Sequence, residues 1–378
     1  MRYDYIGGRM AVILAGMVLP ITLAASCAGT AKYPPGSGWA QKGVASLETI
    51  RVNGLRHSVL IRGTDRENPL LLFIHAMGIP SMCFAHLEYA QNSSSFLERK
   101  FTVIHYDQRG FGKTYLRGKH RKKQVTLDNY VSDAESLVSV IRSRFDNRKI
   151  YLLGESWGTQ IAARLAARRP DWFCAYIGIG QNVQGCEMLA AANDFCLHEA
   201  GMEKNERALK ELHRPGPPRE SMSDGTLFKS MTVIGKWMDY YLARRYGYES
   251  GAGFFFKSLW NAPEYTFIDF EATLTAYIIT NKKIIREACF HDLRRDVDKI
   301  DIPVYMIMGE YDFWKPIVQT YFDSLTAPRK RLFVIPYAGH MVRGDNPDEV
   351  GKILLETVLP ETTTDQSAGF GHFGGNGF

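Results

Sequence analysis

Cysteine is scarce in this 378-residue chain: six, at positions 27, 83, 174, 186, 196 and 289, with no CxxC spacing and no Cys/His cluster. That argues against structural zinc and against a disulfide framework, and leaves them as small hydrophobes suited to burial. A surplus of one charge is also small, 46 Lys plus Arg against 40 Asp plus Glu, a net of +6. With no dense basic stripe or binding motif beside it, the surplus does not point to nucleic acid. No internal repeat is visible, and the longest uncharged apolar stretch falls short of the about 20 residues a membrane-spanning helix needs. What is present is ordinary globular composition, 45% hydrophobic and 23% charged. It suffices for a large core and excludes a disordered, collagen-like or polytopic membrane chain.

Residues 1–30 read differently from the rest. Arg2 and Arg9 precede an uncharged, mostly apolar stretch from Met10 to Ala25 that ends in Ala24-Ala25-Ser26-Cys27. This pattern predicts a signal peptide, a lipoprotein signal with Cys27 as the lipidated residue, or an N-terminal membrane anchor. The expected location is therefore exported, at the membrane or cell surface or secreted. Residues 31–45 read as a linker. Two strands follow, near Leu47–Val52 and Arg56–Ile61, around the turn signal Asn53-Gly54.

Apolar runs bounded by turn residues then recur at Pro69–His75, Phe101–Tyr106, Lys149–Gly154, Cys174–Ile179, Ile302–Met308 and Arg331–Pro336. Continuous rather than alternating apolar strands imply burial on both faces, as in a parallel sheet covered by helices. Helical periodicity lies between them, from Thr126 to Phe145, Thr159 to Arg169 and Pro347 to Leu359. The fold class is α/β, a mostly parallel doubly wound sheet whose site belongs at the strands' carboxyl ends. The alternation stops over 185–298, too long for a plain loop, which predicts a helical cap inserted in a core of 46–184 and 299–360. Its aromatics, among them Trp237, Tyr240, Trp260 and Tyr265, suit a cap core. Residues 361–378 read as a disordered tail, and the basic run from Lys113 to Lys123 as a solvated loop.

Gly154-Glu155-Ser156-Trp157-Gly158 is a G-x-S-x-G pentapeptide set between an apolar strand and a small-residue helix. That context holds a serine on a tight strand-to-helix turn with its hydroxyl exposed, while Gly154 and Gly158 leave room for the turn. Serine needs an imidazole base, itself oriented by a carboxylate. In this topology the acid and then the histidine should each follow a later strand. Asp312 follows Ile302–Met308 and His340 follows Arg331–Pro336, with Glu310 as the rival acid. The Trp157 amide is the expected first oxyanion donor. The loop His75-Ala76-Met77-Gly78 should supply the second, from Met77 or else Ala76. His75 is expected to shape that loop, and Glu155 to be a hydrogen-bonded packing residue.

His75-Ala-Met-Gly-Ile-Pro, Tyr106-Asp-Gln-Arg-Gly-Phe-Gly-Lys-Thr and Gly154-Glu-Ser-Trp-Gly-Thr, with Gly-Glu-Tyr-Asp312 and Ala-Gly-His340, resemble the proline iminopeptidase branch of the α/β-hydrolase superfamily. The resemblance implies the α/β-hydrolase fold, a Ser156–His340–Asp312 triad, and no metal or cofactor. It also implies cap carboxylates that bind a substrate's free amine, for which Glu187, Glu203, Glu264, Asp269 and Glu271 are possible equivalents. The family's Gly-Gly-Pro-Gly after the histidine is shortened here to Ala-Met-Gly. The expected activity is a serine hydrolase, foremost an aminopeptidase on N-terminal aminoacyl amides, with a small-molecule or short-peptide substrate. A carboxylesterase or lactonase is the alternative, and a catalytically silent surface-binding module the remote one. The oligomeric state stays open.

Overall fold

The computed structural model describes residues 42–85, 97–117, 125–247, 258–260 and 262–363. Residues 1–30 with Cys27, expected as a signal or anchor, most of the expected linker, residues 118–123 of the basic run, Phe254–Phe256 in the insertion and residues 364–378 lie outside them. Among the described residues no helix is long and apolar enough to cross a membrane.

Eight strands form one sheet: β1 Val44–Val52, β2 Leu55–Gly63, β3 Leu70–Ile74, β4 Thr102–Tyr106, β5 Ile150–Glu155, β6 Phe173–Ile179, β7 Val304–Gly309 and β8 Lys330–Ile335. Their order across the sheet is β1-β2-β4-β3-β5-β6-β7-β8. The first two are antiparallel, joined at Asn53 and Gly54, whose φ of 49° and 76° suit a two-residue hairpin turn. From β4 to β8 every pairing is parallel, and β3, β4, β5, β6 and β7 are buried along nearly their whole length. The chain order reverses between β3 and β5, so a crevice opens outside their carboxyl ends. The register pairs Ile74 with Gly154, which sets the loop after β3 beside the residues that follow β5.

Each sheet face has its own apolar layer. One holds Leu72, Ile74, Ile104 and Leu152 against helices α2 (Leu127–Arg144) and α3 (Trp157–Arg168); the other holds Leu71, Phe73, Leu153 and Ile177 against Val342, Leu354 and Val358. The helix α2 begins at a capping box between Thr126 and Asn129, and its apolar stripe runs from Val131 through Leu137 to Ile141. Gly112–Arg117, read from the sequence as part of a solvated loop, is instead a short helix, α1. Burial explains the difference: Lys113 turns inward to an ion pair with Asp269 at 2.5 Å.

Between β6 and β7 lie α4 (Gly185–Met202), α5 (Glu206–His213), α6 (Asp224–Tyr246) and α7 (Phe267–Phe290). Helices α4, α5 and α6 share an apolar cluster, including Met188, Cys196, Leu212, Ile234, Trp237 and Tyr241, which Trp314 joins from after β7, while Ile285 and Cys289 of α7 pack with Leu227 of α6. This insertion leaves and rejoins the core at one place. Gln184 and Asp292 form an antiparallel bridge, and the Leu293 N–H donates to the Val183 carbonyl at 3.0 Å. After β7 comes α8 (Lys315–Ser324), and after β8 the short α9 (Val342–Asp345) and α10 (Pro347–Lys352). Residues 361–363, expected in the tail, continue the last helix. The Tyr305 hydroxyl and Arg331 hold the Glu361 carboxylate at 2.9 and 2.5 Å, and Thr362 meets the Tyr151 hydroxyl at 2.6 Å. The described cysteines are unbridged; Cys83, Cys196 and Cys289 are buried.

Candidate active site

Ser156 sits between β5 and α3 with φ 51° and ψ −118°, a left-handed conformation that a serine adopts only where its surroundings impose it. Those surroundings are visible. Its N–H donates to the Ile179 carbonyl at 2.9 Å, and its own carbonyl accepts from the Thr159 N–H at 2.9 Å and the Thr159 hydroxyl at 2.6 Å. Gly158 lies so close to β3 that a Cβ there would fall 2.0 Å from the Ile74 carbonyl oxygen. The structure brings Ser156, His340 and Asp312 together from three strand ends. His340 Nε2 is 2.9 Å from Ser156 Oγ, and His340 Nδ1 is 2.9 Å from Asp312 Oδ2.

Asp312 is 1% exposed and both its oxygens are used, since Oδ1 accepts the Trp314 N–H at 3.0 Å. A carboxylate can only accept, so Nδ1 carries the imidazole proton and Nε2 is left to accept from the serine hydroxyl. The Trp314 ring stands edge-on to His340 at 4.4 Å and limits the imidazole's rotation. Glu310 is exposed and spends its carboxylate on the Tyr337 N–H at 3.0 Å, away from His340.

Trp157 opens α3, in the helix turn whose N–H groups lack intrahelical partners. Its indole donates to Gln108 Oε1 at 3.2 Å. Gln108 in turn donates from its amide nitrogen to the His75 carbonyl at 2.7 Å, while its backbone N–H donates to His75 Nε2 at 3.0 Å. His75 Nδ1 then donates to the Ala76 carbonyl at 2.7 Å. Burial pushes the His75 pKa down to about 4, so the ring is a neutral brace for the loop. Met77 follows that brace, half-buried against the core. Gly78 comes next at φ 84°, with the Tyr277 ring of α7 against it.

Asp107 belongs to the same Asp-Gln-Arg-Gly segment, which carries part of the resemblance but gives this residue no role by sequence alone. It accepts from the Ser81 N–H at 3.1 Å, the Lys113 N–H at 2.8 Å and the Tyr265 hydroxyl at 2.7 Å, tying β4, the loop after β3 and the insertion together. Burial pushes its carboxyl up to about 6, against those hydrogen bonds.

The cap carboxylates considered above are largely engaged elsewhere. Glu187 pairs with Arg294 at 2.6 Å and Glu203 with Arg244 at 2.7 Å. Glu264 pairs with Arg62 at 3.6 Å, Asp269 with Lys113 at 2.5 Å, and Glu271 is exposed. Glu155 is fully buried, yet neither of its oxygens meets a hydrogen-bond donor among the described residues, unlike the hydrogen-bonded role expected of it. Among the described residues no group of three or more His, Cys, Asp or Glu is arranged to hold a metal ion.

Comparison with known proteins agrees with this architecture. A family model described as "Serine aminopeptidase, S33" matches residues 67–208. A relative described as "Probable aminopeptidase YbaC" of Bacillus subtilis is 25% identical over 312 residues, covering 81% of this chain and 94% of its own. A proline iminopeptidase of Lactobacillus helveticus is 23% identical, covering 78% of this chain and 92% of its own. The crystal structure of a proline iminopeptidase from Mycobacterium smegmatis superposes with a TM-score of 0.60 at 18% identity, over 85% of this chain and all of that one. With the sheet order, the strand-to-helix turn at Ser156 and these likenesses, the chain has the α/β-hydrolase fold and relatives of proline iminopeptidase type.

Proposed function

We propose that the protein is a serine hydrolase acting by acyl transfer through Ser156, His340 and Asp312, and that its substrates are N-terminal aminoacyl amides. The observation that carries the mechanism is the continuous chain Ser156 Oγ–His340 Nε2 and His340 Nδ1–Asp312 Oδ2, each link 2.9 Å. His340 takes the hydroxyl proton as Ser156 attacks the carbonyl, and Asp312 stabilises the resulting imidazolium. The N–H of Trp157 and that of Met77 hold the oxyanion, and the helix α3 adds the positive end of its dipole. The imidazolium gives its proton to the leaving amine, and water then clears the acyl-enzyme by the same route reversed.

The aminopeptidase part rests on the names of the sequence relatives and on the insertion over the strands' carboxyl edge. In this reading a carboxylate of the insertion pairs with the substrate's ammonium group. Blocking that amine would leave a desolvated carboxylate unpaired, a loss of roughly 3–5 kcal/mol, or about two to three decades in kcat/KM. A free-amine prolyl or alanyl arylamide should therefore be cleaved at least about a hundredfold better than its acetylated twin, and Ser156→Ala should abolish turnover. Equal rates on both arylamides, with faster cleavage of simple aryl esters, would reassign the enzyme as an esterase.

A further inference from the structure

Glu155 precedes Ser156 but belongs to the other side of the sheet. Strand alternation puts Tyr151, Leu153 and Glu155 on one face, and Tyr151 and Leu153 lie in the apolar layer opposite α3. There Glu155 is fully buried without a hydrogen bond from any described group. Its neighbour across β6 is apolar Ile179, and His75 beyond the end of β3 is neutral. Ile179 is followed by Gly180, where a Cβ would lie 3.0 Å from the His340 ring, and Arg343 and Asp345 of α9 and His340 on the loop before that helix act on Glu155 electrostatically. Arg343 lies over the Phe73 ring at 4.6 Å, and Asp345 accepts the Gly339 N–H at 2.8 Å, fixing the backbone next to His340.

A buried carboxylate without a hydrogen bond is unfavourable in the resting fold, and a leucine or methionine would fill the same space without that penalty. Arg343 offers it one fixed positive charge, and a second arises only during turnover, when His340 becomes positive. We propose that Glu155 is a positioning residue acting through His340: its carboxylate favours the imidazolium formed when Ser156 Oγ gives its proton to Nε2. Glu155 takes no proton itself; the proton passes from Ser156 to His340 and on to the leaving group. This inference rests on the triad reading above. Burial pushes Glu155 up to about 7, with Arg343 and His340 pulling the other way, so its support switches on across neutral pH. Above that range the anion raises the basicity of His340, and below it the help is lost.

The test needs no knowledge of the substrate. The rate at which a fluorophosphonate labels Ser156 is followed against pH in the full chain, in Glu155→Gln and in Glu155→Asp. A unit charge several ångströms away at an intermediate dielectric shifts a neighbour by about one pH unit. In Glu155→Gln the acid limb should therefore move down by about one unit and the plateau rate fall about tenfold, with reagent affinity changed less than about twofold. Glu155→Asp, which keeps the charge, should recover most of the rate. In the unmodified protein the His340 Cε1–H resonance should titrate in two steps, one of them near neutrality, a readout that holds even where a variant does not fold. A wild-type limb and rate in Glu155→Gln, or a single-step His340 titration, overturns the proposal. Absence of labelling at Ser156 in the unmodified chain overturns this inference and the hydrolase mechanism together.

Discussion

Ser156 pays a conformational penalty to hold its hydroxyl outward. At φ 51° and ψ −118° the Cβ is crowded, and such a residue costs about 1–3 kcal/mol where its surroundings do not relax. Glycine would relieve that strain, while alanine would keep it and lose the same hydroxyl. Set against the extra freedom glycine gives the unfolded chain, about 0.4–1 kcal/mol, Ser156→Gly should be more stable than Ser156→Ala by about 1 kcal/mol. Thermal unfolding of the two inactive variants measures this directly. An alanine variant at least as stable would show that the turn is not strained. Ser156, Asp312 and His340 are recognisable in the sequence because each follows an apolar strand within a few residues. Glu155 is not, because its isolation depends on what Arg343, Asp345 and His340 bring to the far face of the sheet. The engagement of the cap acids is equally hidden: Asp269 meets Lys113 from 156 positions away.

Among the elements, α3 decides where the site sits, because it is pressed against the end of β3. A Cβ at Gly158 would come 2.0 Å from the Ile74 carbonyl oxygen and 2.9 Å from that of His75. Neither atom can yield without moving the strand, so Gly158→Ala should push α3 and Ser156 outward together. Overpacking of this kind costs about 1–3 kcal/mol. Lower thermal stability and weaker labelling of Ser156 should therefore appear in the same variant, and loss of neither would contradict the packing. The strands are legible because two-sided burial makes them unbroken apolar runs. Helix α8 is less so: its ten residues carry only Val318 and Tyr321 as buried positions, with Pro316 in the first turn as the remaining signal. The helical state of Gly112–Arg117 is hidden in the sequence by Lys113 and Arg117, which read as solvated until Asp269 is brought to Lys113.

For the whole molecule, three buried groups near the site tie stability to pH. Asp107 rises from an ordinary 3.8 to about 6, so the folded chain keeps a proton the unfolded one releases and stability falls as pH climbs through that range. His75 drops from 6.5 to about 4, so the unfolded chain binds the extra proton and stability rises over nearly the same range. Those two largely offset each other. Glu155, raised from 4.5 to about 7, has no such counterweight, and its contribution falls steadily between those values. The stability of wild type relative to Glu155→Gln should thus decline by roughly 3 kcal/mol from pH 4.5 to above 7. Urea unfolding at both ends of the range checks it; a constant difference would mean that Glu155 does not change its protonation on folding.

The bridge between Gln184 and Asp292 bears on how such a molecule can change over time. Because the ends of the insertion already meet on the core, the entropy of closing that excursion grows only slowly with its length. Residues can be added, lost or exchanged between those two points while β6 and β7 stay paired and Ser156, His340 and Asp312 keep their spacing. Substrate choice, where it resides in the excursion, is thereby uncoupled from the bond-breaking machinery, and a lineage can inherit one while it revises the other.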